Sequence, residues 1–184
     1  MEMFSKQEEM WLRDMEQNQE KYWNISRKTA EFLYGTINNI KNMIVLEIGM
    51  SNGYSSIWIA KALKKTEGHL YSVESHQNRF EEAKHNFEKF GVSSVITMIK
   101  GHAPEIFIKA KWFQENKFDL VFLDATKIEY LSYFQKVWNQ IENGGMVIAD
   151  NIESHSEQLK GFVDYVSQRT DLIMENLAVG TGLL

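Results

Sequence analysis

Cysteine is missing from the whole 184-residue chain. Its absence removes disulfides, thiolate metal sites and cysteine nucleophiles in one step, and it fits a reducing compartment. Proline occurs once, at Pro104, so no proline-rich linker divides the sequence. Long apolar runs are lacking too: nothing approaches the roughly 20 residues that cross a bilayer, and the opening MEMFSKQEEMWLRDMEQ is too polar for a secretory leader. A cytoplasmic protein with no membrane partner is therefore expected. Nor is there an excess of positive charge. Twenty Lys and Arg stand against twenty-five Asp and Glu, a net of −5, which gives no general attraction to a phosphate backbone. A local basic patch would escape that sum, so nucleic acid is disfavoured without being excluded.

What the chain does have is regular alternation. Short apolar, β-branched runs at 43–48, 70–73, 95–99, 118–123 and 146–149 read as strands covered on both faces. Segments of helical period lie between and after them, at 54–65, 77–90, 104–113, 127–141 and 154–169. Such alternation gives an α/β fold, a doubly wound, mainly parallel sheet with helices on both faces. The length suits one domain over residues 1–184, with an amino-terminal helical extension at 1–24 and a core at 25–184. In the extension Phe4, Trp11, Met15 and Tyr22 recur at helical spacing. They mark a face that packs on its own core, on a second subunit, or over a pocket.

The stretch VLEIGMSNGYSS, from Val45 to Ser56, ends the first strand and opens the helix after it. Ligands of open parallel sheets sit beyond the carboxyl ends of the strands, near the point where strand order reverses. Gly49 and Gly53 fall there, and glycine permits positive φ and close approach of a ligand to the backbone. A dinucleotide turn would read G-x-G-x-x-G with its pyrophosphate at the helix terminus. Here the spacing is G-x-x-x-G, preceded by Glu47. A carboxylate repels pyrophosphate and tolerates a cation, so a positively charged sulfonium nucleoside fits better than a dinucleotide. The second strand ends in YSVES, with Glu74 at its tip. One carboxylate there can accept from both hydroxyls of a ribose. An acid ahead of a helix is also well placed for purely local reasons.

The fourth and fifth strands end in FDLVFLDATKIEY and GGMVIADN. Adjacent strands run about 4.8 Å apart, so Asp124, Asp150 and Asn151 can converge on one small volume. Two close carboxylates repel unless something positive lies between them. Their hard oxygens suit Mg²⁺, Ca²⁺ or Mn²⁺ and not zinc. A helix cap could account for one such Asp, but not for both strand tips. Lys127, on the first turn after Asp124, works against the helix dipole. Near a divalent ion its amine would lose proton affinity and become able to take a proton from a hydroxyl.

These motifs together resemble the class I S-adenosylmethionine-dependent methyltransferases, and among them the cation-dependent O-methyltransferases of the catechol and caffeoyl-CoA type. The resemblance runs from about Ile25 to Leu184. It implies a Rossmann-like seven-stranded sheet of order 3-2-1-4-5-7-6. Strand seven would be antiparallel and truncated, beginning in NLAVGTGLL. It implies S-adenosylmethionine as cofactor, bound by Glu47, Gly49, Gly53, Ser55, Glu74, Ser75, His102, Ala103 and Asp124. His102 and Ala103, in IKGHAPEIF, would flank adenine, although many relatives carry Asp at the His102 position. The divalent ion would rest on Asp124, Asp150 and Asn151. Lys127 would be the general base, with Asp124 beside it in the catalytic pair. Many relatives read D-A-D-K where this chain has Asp124-Ala125-Thr126-Lys127, a departure that bears on the acceptor.

The expected chemistry is metal-assisted methyl transfer to a small catechol-like or phenolic hydroxyl, by a homodimer as in relatives. A tRNA hydroxyuridine O-methyltransferase and a non-catalytic nucleoside-binding protein stay open as alternatives. A nicotinamide oxidoreductase is disfavoured by the missing third glycine and by Glu47. Trp23, Met50, Tyr130 and Trp138 are expected to line the acceptor site.

Overall fold

The computed structural model describes residues 3–184. Three helices precede the sheet: α1 (Lys6–Gln17), α2 (Gln19–Tyr22) and α3 (Arg27–Ile37). Strands and helices then alternate as β1 (Ile44–Ile48), α4 (Tyr54–Thr66), β2 (His69–Glu74), α5 (Gln77–Lys89), β3 (Ile96–Lys100), α6 (Lys111–Glu115), β4 (Phe118–Leu123), α7 (Tyr130–Val137), β5 (Ile141–Ala149) and α8 (Ser156–Ser167). All strand pairings in the sheet are parallel, in the order β3-β2-β1-β4-β5. The order reverses between β1 and β4, which puts the crevice for a ligand at their carboxyl ends.

Neighbouring residues along a strand enter opposite layers of the core. Val45 and Leu120 belong to the layer of Leu33, Trp58 and Phe87, whereas Leu46 and Val121 belong to that of Phe107, Phe113 and Phe134. Burial on both faces explains why these strands read as unbroken apolar runs. Leu46 and Val121 are fully buried.

The segments expected to be single long helices are interrupted. Over 104–113 the chain makes a 3₁₀ turn at Glu105–Phe107, extends at Ala110, and resumes as α6. The reason is packing: Phe107 and Phe113 stack at 4.4 Å, and six residues of continuous helix would point them in different directions. Over 127–141, α7 is flanked by 3₁₀ turns at Lys127–Glu129 and Trp138–Gln140. The fifth strand begins at Ile141, earlier than its apolar run suggests, because Ile141 pairs with Phe118; the register then shifts before Met146 pairs with Leu120, across a stretch that includes Gly144 (φ 80).

The amino-terminal stripe is not one helix. A capping box between Ser5 and Glu8 starts α1, the chain breaks at Asn18, and Tyr22 belongs to α2. Phe4 is buried edge-on against Trp58 at 4.7 Å, and Trp11 lies against Phe90 at 5.5 Å. Both side chains that suited a dimer contact are thus used within the chain. Glu16 accepts from Arg27 Nε at 2.8 Å and from the Tyr54 hydroxyl at 2.6 Å, fastening α1 to the start of α4.

The described residues form five strands, and the sixth and seventh implied by the resemblance are not among them. Around NLAVGTGLL, Leu177 and Leu183 make one antiparallel bridge. Ala149 and Leu184 exchange both backbone bonds, at 2.8 and 3.0 Å, the pattern of an antiparallel pair. Gly180 (φ 60) and Gly182 (φ 86) turn the chain before a longer ladder can form.

Candidate active site

A cavity of about 620 Å³ runs across the carboxyl edge of the sheet, lined among others by Gly49, Glu74, Ala103, Asp124, Lys127 and Asn151. The turn from β1 to α4 forms its floor. Gly49 has φ 105, and a Cβ there would lie 2.1 Å from the carbonyl oxygen of Asp124. At Gly53, φ is 88 and a Cβ would lie 2.5 Å from the Phe87 ring. Glycine is required at both places, for backbone approach at the first and helix packing at the second. Gly53 and Ser55 themselves stand behind the turn and do not line the cavity.

Glu47 also stands behind it. The side chain is fully buried, and its carboxylate accepts from the hydroxyls of Ser55, Ser56 and Ser72. Burial pushes its carboxyl up to about 6, the three hydroxyls oppose that, and the charge of Asp124 adds to it. The folded state therefore holds this proton more tightly than the unfolded chain. The stability lost is zero below pH ~4.5, grows as pH rises toward 6, and levels off above at about 2 kcal/mol. Glu47→Gln is expected to flatten that part of the profile. Urea melts of both proteins between pH 4 and 7 check it, and an unchanged slope in the variant would count against the buried carboxyl as its source.

Glu74 lies at the tip of β2, facing the cavity. It accepts from the Ser51 N–H at 2.8 Å and the His76 N–H at 2.7 Å, so backbone donors from two loops fix its direction. Ser75 and Ala103 also line the cavity. His102 is there as well, but both ring nitrogens are engaged: Nδ1 lies 2.7 Å from Glu105 and Nε2 3.4 Å from Glu129. The bond to Glu105 raises its pKa.

At the other end, Asp124 and Asn151 line the cavity, with Asp150 buried between β5 and the chain that follows it. Burial raises the Asp124 carboxyl, against the opposing charge of Lys127. Burial and then the charge of Asp124 raise Asp150. Lys127 Nζ lies 2.8 Å from Asp124 Oδ1 and 3.1 Å from the Tyr130 hydroxyl. Asn151 has φ 70, and its buried Oδ1 has no hydrogen-bond partner. Two carboxylates that repel each other and an orphaned carbonyl oxygen make a donor set that a hard divalent cation satisfies. Among the described residues no metal-holding group of three His, Cys, Asp or Glu occurs, and this trio differs from such a group by containing an amide.

Of the expected acceptor-site residues, Trp23 lines the cavity, 71% exposed, with the Arg79 guanidinium 4.3 Å over its ring. Met50 and Tyr130 are buried beneath it, and Trp138 lines a different cavity beside β5. Tyr22, from the amino-terminal stripe, lines the site, and Tyr133, His155 and the α2 residues Gln19 and Glu20 do so without having been singled out by sequence. No local pattern marks them, because topology alone brings them to the sheet edge.

Residues 3–175 match the model of a family described as O-methyltransferase. A catechol O-methyltransferase of Niastella koreensis is 33% identical over 108 residues, 59% of this chain and 48% of that protein. Caffeoyl-CoA O-methyltransferase 2 of Petunia hybrida is 29% identical over 136 residues, 70% of this chain and 55% of that one. The chain thus spans about half the length of these relatives. Among solved structures, the O-methyltransferase TomG from Streptomyces achromogenes, in complex with SAM, superposes with a TM-score of 0.82 at 24% identity, covering 94% of this chain and 86% of that one. At that identity the likeness speaks for the fold.

Proposed function

The chain belongs to the O-methyltransferase family, and on that premise we propose that it transfers a methyl group from S-adenosylmethionine to a hydroxyl of a small catechol-like or phenolic acceptor, with help from a divalent cation. The observation that carries this reading is a single cavity flanked by the Gly49 turn and Glu74 on one side and by Asp124, Lys127 and Asn151 on the other. Relatives named catechol and caffeoyl-CoA O-methyltransferases support the acceptor class.

When bound, S-adenosylmethionine supplies an electrophilic methyl group on a cationic sulfur. Glu74 accepts from the ribose hydroxyls with the lone pairs its two backbone donors leave free. Gly49 lets the nucleoside approach the backbone, and Ala103 with Ser75 flanks the base. Glu47 acts from below, aligning Ser55 and Ser56 on α4 with Ser72 on β2. His102 joins this wall through its backbone, since both of its ring nitrogens face carboxylates. A divalent ion such as Mg²⁺, Ca²⁺ or Mn²⁺, held by Asp124, Asp150 and Asn151, would act as a Lewis acid on the acceptor oxygen. Lys127 takes the acceptor's proton at Nζ, which Asp124 and the Tyr130 hydroxyl hold at the cavity wall. Residues of α2 and Trp23 line the same cavity, where shielding from water helps the step as charge is neutralised.

We further propose that residues 1–184 work as one domain, that NLAVGTGLL enters the antiparallel seventh strand, and that the enzyme is a cytoplasmic homodimer. The test is direct. At 100 times its dissociation constant a ligand adds about 2.7 kcal/mol of stability, worth roughly 5–10 °C in a domain of this size. S-adenosylmethionine is expected to raise the melting temperature by that much, with NAD having no effect. Equal shifts, or none, would sink the cofactor assignment. Methyl transfer to catechols and caffeoyl-type phenols, assayed with Mg²⁺ and with chelator, then tests the acceptor. Labelling of tRNA alone would move the assignment to the nucleic-acid reading, and no labelling at all to a binding module.

A further inference from the structure

The turn Gly180-Thr181-Gly182 has no part in the reading above, yet its threonine hydroxyl lies between the two residues at the tip of β5. Thr181 Oγ1 is 2.8 Å from Asp150 Oδ1 and 3.0 Å from Asn151 Nδ2. A hydroxyl has a single proton, and an ionised carboxylate can only accept. The proton therefore goes to Asp150, and the hydroxyl must accept from Asn151. Only the amide nitrogen of Asn151 can supply that bond, which fixes the flip of the side chain. The carbonyl oxygen is left on the opposite side, buried and unpartnered. The bond also fixes the direction of the Asp150 carboxylate while leaving it lone pairs to offer.

We infer that Thr181 is a positioning residue for the divalent cation, one that orients Asp150 and Asn151 as ligands before the ion arrives. The inference rests on the proposed cation site and extends it to a residue 30 positions away along the chain. The backbone around Thr181 supports the same task. Its carbonyl accepts from the Glu153 N–H at 3.1 Å, and the Gly182 carbonyl accepts from the Ile152 N–H at 3.1 Å, so the turn holds the loop that carries Asn151. Both flanking glycines are compelled. A Cβ on Gly180 would lie 2.2 Å from Thr29 Oγ1, and one on Gly182 2.9 Å from the Glu153 backbone nitrogen. Their positive φ values, 60 and 86, complete a turn in which the hydroxyl has little freedom to move. Asn151 itself sits at φ 70, a conformation that the hydrogen bond to Thr181 helps to hold.

Partners in the layer behind metal ligands typically change metal affinity by 10–100-fold when removed. The experiment is a Mn²⁺ titration of the full chain without methyl donor, following free Mn²⁺ by electron paramagnetic resonance. Thr181→Val keeps the shape of the side chain and removes the hydroxyl, and it is expected to weaken Mn²⁺ binding by roughly tenfold. Thr181→Ser is expected to restore wild-type affinity. Asp150→Ala, run in parallel, is expected to lose the site. S-adenosylhomocysteine affinity, measured by calorimetry, is expected to stay unchanged in both Thr181 variants and reports that they are folded. If valine at 181 does not fold, Thr181→Ala makes the same comparison without adding atoms. Wild-type Mn²⁺ affinity in the folded variant, alongside loss in Asp150→Ala, overturns the role of Thr181 and leaves the cation site standing. No Mn²⁺ binding by the wild-type chain overturns both.

Discussion

Replacing Lys127 by methionine is expected to lower kcat by roughly 10²–10⁴-fold, the usual contribution of a positioned acid or base, with little change in the affinity for S-adenosylhomocysteine. The reasoning starts from geometry. The amine lies at the cavity wall, 2.8 Å from Asp124 and 3.1 Å from Tyr130 OH, and both partners restrict where Nζ can be. Methionine keeps an unbranched stem of similar length and leaves no nitrogen to accept a proton. Arginine is not expected to rescue the rate, because a guanidinium stays protonated throughout the working range. Initial rates with an isotopically labelled methyl donor decide the matter, and a methionine variant within threefold of wild type would remove Lys127 from the chemistry. The same variant should melt earlier in the absence of divalent ions. Asp124 is held above its ordinary carboxylate range by burial, and it would lose the charge that most opposes this. Breaking such a pair from one side costs about 3–5 kcal/mol.

The second large effect is expected from a single methyl group. Gly49→Ala asks a residue with a side chain to adopt φ 105, and sets its Cβ 2.1 Å from the Asp124 carbonyl oxygen, a backbone atom with no room to retreat. Strained φ alone costs on the order of 1–3 kcal/mol, and forced backbone shifts a similar amount. A loss of about 2–6 kcal/mol is a large part of a typical domain's 5–15. Because β1 and β4 must move apart at the floor of the cavity, nucleoside affinity should fall together with stability. Gly161→Ala is the control: it lies in α8 with nothing within 4 Å of the added carbon, and should stabilise by roughly 0.5–1 kcal/mol. Urea denaturation measures both. A Gly49→Ala protein as stable as wild type would mean that the contact between these strands is looser than the structure has it.

Asp124, Asp150, Glu74 and Gly49 were legible in the sequence for one reason: each stands where an apolar run stops. In a parallel sheet such stops share an edge, and the cavity does lie there. Glu47 was legible as an unusual acid, but its partners were not. Ser72 arrives from the neighbouring strand, and only the register of β1 against β2 sets it opposite Glu47. Thr181 is harder still, since a glycine-flanked threonine carries no signal until the chain has folded back onto β5. The helix expected over 104–113 failed because periodicity cannot see that Phe107 and Phe113 fill the same layer. Met50, Tyr130 and Trp138 were judged by residue type. Burial of the first two, and the placement of Trp138 at another cavity beside β5, overrode that judgement.

Glu16 has two obligations at once, to Arg27 at the head of α3 and to Tyr54 on the first residue of α4. Tyr54 follows Gly53 directly, so the hinge on which the amino-terminal arm hangs is the same one that shapes the ligand's seat. Fraying of the arm is thus expected to loosen the seat, and a guest that steadies one end to slow the unravelling of the other.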